Sequence, residues 1–525
     1  MRRRDLLRAV PLLATAPLAT PALTQGQKPL RFIPQANLTL LDPISSASLI
    51  TYEHAYLIYD TLYGFDGAAD IRPQMCSGHQ LSGDRLTWTF TLRDGLMFHD
   101  NQKVLAGDCV PSILRWGTRD AFGQQVMRYI SGIDTIDDRH FAIRLKRPCP
   151  QLLYGLGARQ CFVMPERVAS RPGTEQLTDP TGSGPFRFLK DEWVSGARSA
   201  YARFDGYVPR QEPPSVFAGG KVANFERVEW IVQSDPAVAA AALQKNEVDW
   251  LETPLIDLCP MLARSPGIYT RIVDPDGFLM LMLLNNLHPP FDNPKLRQAV
   301  LLALDQRSFV AAVIGDQTDL SEVPTGLFAP STPMANNAGM ARLTGPRDIN
   351  AAKAAIAESG YKGEPVMLMA PVDQPAMALM SQVARDLFQS IGLNVDYRAM
   401  DWGSVLTRRA SQMPVNQGGW GACIATISSL TAANPGSLIA LRGNGRQGFP
   451  GWPTDERLEQ LREAWFDAPD LGAQKTIAEQ VQARYFESVP FLPLCRLRQP
   501  MAFRTDINDV VSAAYPVFWG VRRAS

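Results

Sequence analysis

The sequence predicts an α/β protein of more than one domain, and three observations carry that reading. At 525 residues the chain exceeds what one ordinary core organises, and its length suggests roughly two to four domains. Apolar residues make up 46% and charged residues 20%, a globular composition. The first half is rich in short alternating segments and turns, whereas the second half alternates capped helices with strands.

Leu86, Trp88, Phe90 and Leu92 fall on one face of a period-two segment, with Thr87, Thr89 and Thr91 on the other, which describes a half-buried strand. Arg93-Asp94-Gly95 is turn chemistry, and Leu96-Met97-Phe98-His99 then reads as a second short strand. His99 stands at its end beside Asp100, a structural rather than a catalytic setting. Pro/Gly clusters follow near 171–185 and 205–220, and an apolar run occupies 277–286. Further on, Asn293 is placed as an N-cap with Pro294 at the first helical position. Leu296, Val300, Leu304 and Val313 form the apolar face of one helix ending at Gly315. Asp348 caps and Gly360 terminates the next helix, and a third closes at Gly392 before a Leu393/Val395/Tyr397 strand. Two more helices fit 454–468 and 471–488. No fixed-period repeat and no low-complexity tract interrupts the chain.

Lys+Arg and Asp+Glu both number 52, so there is no basic excess of the kind a nucleic-acid binder needs to displace counterions. No apolar run reaches the roughly 20 residues that cross a bilayer. Residues 1–26 read as an export signal: a positive start, an apolar Leu/Ala/Pro stretch, then small residues. Arg3-Arg4 resembles the twin-arginine variant, and cleavage is expected between Ala22 and Gly26. No cysteine follows the apolar stretch before Cys76, so no lipid anchor is expected. Of the seven cysteines none forms a Cys-x-x-Cys pair; Cys149 and Cys161 could close a short loop, or all could be buried thiols.

Enzyme signatures fail one after another. The chain has no His-Glu-x-x-His, no Gly-x-Ser-x-Gly and no Gly-x4-Gly-Lys-Ser/Thr. Its five histidines, at 54, 79, 99, 140 and 288, show no metal-ligand spacing, so neither metal nor cofactor is expected. Residues 443–448, Gly-Asn-Gly-Arg-Gln-Gly, do match a dinucleotide fingerprint. Pro450 and Pro453 forbid the helix that such a site needs, so the segment reads as a loop.

What remains is an order of segments. Leu41-Asp42-Pro43 and Tyr59-Asp60-Thr61-Leu62 come first, followed by 82–116 with its Leu-Arg-Asp-Gly-Leu-Met-Phe-His-Asp core. Residues 181–188, 246–252, 291–305, 351–361, 392–402 and 489–495 complete the series. In these segments, and in their order, the chain resembles the family 5 extracellular solute-binding proteins, the peptide/nickel/opine-type periplasmic receptors of ABC importers. The resemblance implies a two-lobed periplasmic-binding-protein fold (α/β, type II, large) with an extra subdomain inserted in lobe one. It implies lobe one at 27–283 with the insert at about 65–180, lobe two at 284–489, and a C-terminal return at 490–525. Crossovers would lie at 277–290 and 485–497. The implied partners are a small solute, peptide or peptide-like, and a permease/ATPase complex at the inner membrane. The receptor would act as a monomer, without catalysis and without nucleic acid.

By the same resemblance, ligand contacts are expected from Ser45, Ser48 and Ser183 in lobe one. Asp401, Trp402, Trp420 and Asn434 would contribute from lobe two, and Trp519 from the tail. Trp402 and Trp420 suit a rigid contact surface whose indole N–H can donate, though core packing is open to both. Trp420→Ala is accordingly expected to weaken binding more than tenfold with little loss of fold. Peptide-binding relatives place an aspartate shortly after the tryptophan to meet the ligand's amino group. Here Gly421-Ala422-Cys423 follow Trp420, and no acid occurs from 420 to 436. A buried ammonium without a carboxylate is costly, so either Asp401 takes that role or the ligand is not an ordinary peptide. Nickel, opine and sugar receptors, and an exported hydrolase using Asp401 with a nearby serine, are the alternatives.

Overall fold

Two sheets organise the chain, and a third is carried between early strands of the first. The computed structural model describes residues 28–46 and 48–524, so the expected export segment lies outside the described residues. The first sheet has seven strands in the order Ile268–Ile272, Pro500–Arg504, Trp250–Leu251, Leu30–Ile33, Arg227–Ile231, Arg198–Arg203, Phe186–Phe188. Leu30–Ile33 runs parallel to both its neighbours, so the intervening chain must cross over. Between Leu30–Ile33 and Phe186–Phe188 the chain builds a separate four-stranded antiparallel sheet, in the order Cys76–Leu81, Thr87–Leu92, His140–Leu145, Ile130–Thr135. Helices Ala106–Arg119, Ala121–Met127 and Leu152–Ala158 belong to the same stretch.

The second sheet orders its six strands Ser321–Glu322, Phe491–Leu497, Phe278–Leu284, Ala422–Ile427, Val366–Pro371, Val395–Met400. Its central strand reads Phe-Leu-Met-Leu-Met-Leu-Leu, buried throughout except at Phe278. A continuous apolar run of this length marks a strand covered on both faces, and each such side chain contributes about 1.5–3 kcal/mol on full burial. These assignments correct the expected crossovers. Phe278–Leu284 and Phe491–Leu497 are paired interior strands of the six-stranded sheet, so boundaries at 283/284 and 489/490 cut that sheet. The chain passes between the two large sheets at 273–277 and at 498–499. Arg498 ties these passages together, its Nε donating to the Pro275 carbonyl at 2.7 Å.

Local chemistry explains most element ends. Asn293 accepts from Lys295 N, Asp348 from Ala351 N and Asp470 from Ala473 N, each satisfying an N–H that the first helical turn leaves open. The helix expected to run from Pro294 to Gly315 is two helices, Pro294–Ala303 and Gln306–Ile314. Leu304 turns extended, and Asp305 starts the second helix by accepting from Arg307 N at 3.1 Å. Leu96–His99 forms no strand: only Met97 bridges, to Lys103. His99 closes this turn. Its Nδ1 accepts from Gly182 N at 3.1 Å and its Nε2 donates to Gly184 O at 3.1 Å, and burial holds it neutral, pushing its pKa down to about 4. All seven cysteines are buried free thiols, so Cys149 and Cys161 are not bridged. Residues 443–448 are a loop with one tight turn, not the start of an α-helix.

Two buried ion pairs brace the segments around the first sheet, and one of them reaches the helix Ala106–Arg119 of the inserted subdomain. Asp42 meets Arg115 Nη2 at 2.7 Å, and Asp60 meets Lys221 Nζ at 2.7 Å. Tyr207 Oη also donates to Asp60 at 2.7 Å.

Candidate functional site

The body built on the six-stranded sheet meets the remainder along a seam, and the seam has two kinds of contact. One is a latch on the inserted subdomain. Phe122 packs on Phe466 with ring centroids 4.7 Å apart, and Tyr129 Oη donates to Asp467 Oδ1 at 2.6 Å. Arg147 reaches the same carboxylate at 2.8 Å, and Arg128 meets Glu463 at 2.6 Å. Exposed pairs like these last two contribute about 0–1 kcal/mol, so the aromatic contact and the tyrosine bond dominate the latch.

The other is a cluster of polar and aromatic side chains. Helix Leu49–Ile58 supplies Tyr52 and Tyr56, four residues apart and therefore on one face. The tail supplies Tyr515, stacked on Tyr56 at 5.8 Å, and helix Leu152–Ala158 supplies Tyr154 with Arg159 just beyond its end. From the six-stranded body, the loop after Ala422–Ile427 brings Ser428, whose Oγ lies 3.4 Å from Tyr515 Oη, and Ser429, which donates to Asp274 Oδ2 at 2.8 Å. Burial raises the tyrosine hydroxyl pKa values, that of Tyr515 to about 12, while the Arg159 charge pulls the other way. Burial likewise lifts Asp274 to about 6 against the hydrogen bond from Ser429. Arg159 is buried; its Nη2 meets Asp120 at 3.0 Å, while Nε and Nη1 have no partner. Leaving such donors unmade costs on the order of 1–3 kcal/mol each, so the arrangement is suited to receiving an acceptor from outside the chain.

The eight residues expected to touch ligand distribute unevenly. Asn434 reaches the cluster, its side chain facing Tyr154, and its Oδ1 also fixes a turn by accepting from Ser437 N at 2.9 Å. Trp519 stands behind it, buried, 6.4 Å from Tyr56 by ring centroids, with Lys221 Nζ 4.8 Å from its ring. Ser183 is corrected to architecture: it is buried, donates to Val163 O at 2.9 Å and accepts from Asp60 N at 3.0 Å. Trp420 is corrected likewise, being fully buried, with Nε1 donating to Arg409 O at 3.0 Å and its ring 5.7 Å from Trp452. Ser45 is half-buried and donates to Asp42 O at 3.3 Å; Ser48 is exposed at the N-cap of helix Leu49–Ile58 without capping it. Asp401 is exposed and spends its carboxylate on Ser404 N and Oγ, at 2.9 and 2.6 Å, as a helix cap. Trp402 is half-buried under Arg409. Asp401 edges an open depression of about 700 Å³ lined only by residues between 400 and 418, on one body and away from the tyrosine cluster.

A model of the bacterial extracellular solute-binding proteins, family 5, matches residues 70–447. The chain belongs to that family. Among relatives, a probable peptide ABC transporter periplasmic-binding protein of Sinorhizobium fredii is 36% identical, with 99% of each chain covered. Di/tripeptide-binding protein 2 of Pseudomonas aeruginosa is 24% identical over 97% of this chain and 96% of its own. Among solved structures, the periplasmic binding protein AgaA of A. tumefaciens R10 with agropinic acid superposes with a TM-score of 0.78 at 18% identity, covering 95% of this chain and 99% of its own. The oligopeptide-binding AppA of Bacillus subtilis with a nonapeptide gives 0.79 at 17% identity, covering 95% and 99%. The fold is therefore the two-lobed, type II architecture with an inserted subdomain.

Arg159, Tyr52, Tyr56, Tyr154 and Tyr515 escaped the sequence reading. The spacing of Tyr52 and Tyr56 was the available signal; nothing around Arg159 marks it out.

Proposed function

We propose that this chain is the solute receptor of an ABC importer, capturing a peptide or related small solute in the seam and presenting the closed form to a membrane permease. It works as an exported monomer and leaves the solute chemically unchanged. The observation that carries this reading is the end-to-end relationship to family 5, joined to a cluster that draws side chains from both sides of the seam. Physically, a ligand that touches both lobes favours closure by its differential affinity for the closed form. Micromolar binding corresponds to about −8 kcal/mol, more than the few kcal/mol that separate open and closed states of hinge-closing proteins. No residue needs to attack, protonate or reduce the solute; the closed shape is the output.

The test is solution scattering and calorimetry on the full chain against unmodified di- and tripeptides and other small acids and sugars, with product analysis of the same mixtures. Compaction with saturable binding and unaltered solute is the expected outcome. Steady conversion of a solute without compaction would replace the receptor with an enzyme.

A further inference from the structure

The last turn of helix Glu456–Asp467 is assembled against its own electrostatics. Asp467 is the final helical residue, where the open carbonyls already carry partial negative charge, and no basic residue stands in that turn to offset it. Glu463 lies four residues earlier on the same face, and like charges at that spacing repel. Among the described residues, neither carboxylate has an ion pair or a hydrogen bond from within the six-stranded body. Arg462, next to Glu463 in the chain, donates instead to the Pro435 and Gly436 carbonyls and to Glu459.

Their partners come from the inserted subdomain. Tyr129 Oη donates to Asp467 Oδ1 at 2.6 Å, Arg147 Nη1 to Oδ2 at 2.8 Å, and Arg128 Nη1 to Glu463 Oε1 at 2.6 Å. The Arg147 guanidinium also lies over the Tyr129 ring, 4.3 Å from its centroid, so these groups brace one another. Burial and the neighbouring Asp467 carboxylate push the Tyr129 hydroxyl up, which keeps it a donor. Among the described residues, none of these five polar side chains hydrogen-bonds to the tyrosine cluster, so the contact is separate from the one that a solute would meet. We propose that it is a closure clasp: a positioning contact, remote from the solute, that favours the closed form by cancelling a repulsion present whenever the lobes are apart. This rests on the solute-receptor reading and says where part of the receptor's affinity is set. A solute that binds the closed form gains from whatever raises the competent fraction, so the clasp passes into apparent affinity although no clasp residue touches the solute. The bond from Tyr129 to a charged acceptor carries the largest share; the ion pairs are exposed and add little.

The test uses the full chain and three readouts. Paired fluorescent labels across the seam report the compact fraction without solute. Calorimetry reports affinity for whichever unmodified di- or tripeptide most stabilises the wild type, and thermal melting reports the stability of the solute-free chain. Tyr129→Phe and Asp467→Ala should each lower both the compact fraction and the affinity by about fivefold. The double variant should lose less than about twofold beyond either single one, because both remove the same bond. Neither substitution should lower the melting temperature, and Asp467→Ala, which removes the repulsion at the helix end, should raise it. A merely structural role would move melting and affinity down together. Unchanged compact fraction and affinity, losses that multiply in the double variant, or losses matched by a lower melting temperature overturn the clasp and leave the receptor standing. If the wild type binds no solute, the receptor reading falls, and the label measurement still decides the clasp: a compact fraction that drops in Tyr129→Phe upholds it, and one that does not rejects it.

Discussion

Gly436 sits on the seam against Phe122 of the inserted subdomain, and Gly436→Ala turns that approach into a measurement. A Cβ at this position would stand 2.8 Å from Phe466 Cζ, 2.9 Å from Phe122 Cε2 and 2.9 Å from Trp465 Cζ3. Carbon atoms pack at about 3.5–4.0 Å, so the rings must withdraw by roughly 0.7–1 Å. Overpacking of this kind costs about 1–3 kcal/mol. Phe466 and Trp465 lie on helix Glu456–Asp467 of Gly436's own body, whereas Phe122 belongs to the inserted subdomain across the seam. The share borne by Phe122 is relieved when the lobes separate, so it weighs on the closed form alone. A share of about 1 kcal/mol corresponds to roughly a fivefold loss of solute affinity. The assay is calorimetric titration with whichever solute most stabilises the wild type, run as a double-mutant cycle with Phe122→Ala. Gly436→Ala should weaken binding about fivefold in the wild-type background and less than twofold beside Phe122→Ala. The same loss in both backgrounds would refute a wedge acting across the seam.

Three further outcomes follow from buried groups. Glu53 and Glu252 are buried together, and burial raises both, Glu252 to about 7. The folded state thus holds protons that the unfolded chain releases near pH 4.5, so stability from this pair falls as pH rises from about 4.5 through 7; Glu252→Gln should flatten the melting temperature across that window. Burial alone would raise Asp60, but Lys221 and Tyr207 hold it below the usual carboxylate range. Lys221→Met strands that carboxylate and should cost about 3–5 kcal/mol in denaturant unfolding. Trp420→Ala removes a fully buried indole and its bond to Arg409 O; it should cost about 3–5 kcal/mol of stability in denaturant unfolding.

Elements whose ends are written in local chemistry were legible from the chain alone. Asp348 with Gly360, Asn293 with Pro294, and the alternation through Phe90 each stand where their spacing puts them. The failures share a cause, which is that the deciding partner is distant in sequence. Phe278–Leu284 read as a crossing because its long apolar run looks the same whether it joins two bodies or lies inside one; only pairing with Phe491–Leu497 and Ala422–Ile427 decides. Asp305 was read within a helix because nothing nearby forbids it, yet it caps a new one. Trp420 drew attention as a large indole, and its burial depends on Arg409 and Trp452. Arg159 is singled out by what it lacks, and a missing partner leaves no mark on a sequence.

The two passages between the large sheets emerge from neighbouring strands and are cross-tied by Arg498 to Pro275. Gly277 adopts φ of +60°, and a side chain there would collide with the Leu497 carbonyl, so the ribbons run flush against one another. Paired straps set edge to edge admit a swing about one line and oppose torsion about the other two. For the closure proposed above, the path from gaping to shut is expected to follow a single coordinate. One pair of spectroscopic labels, straddling the mouth, reports all of it.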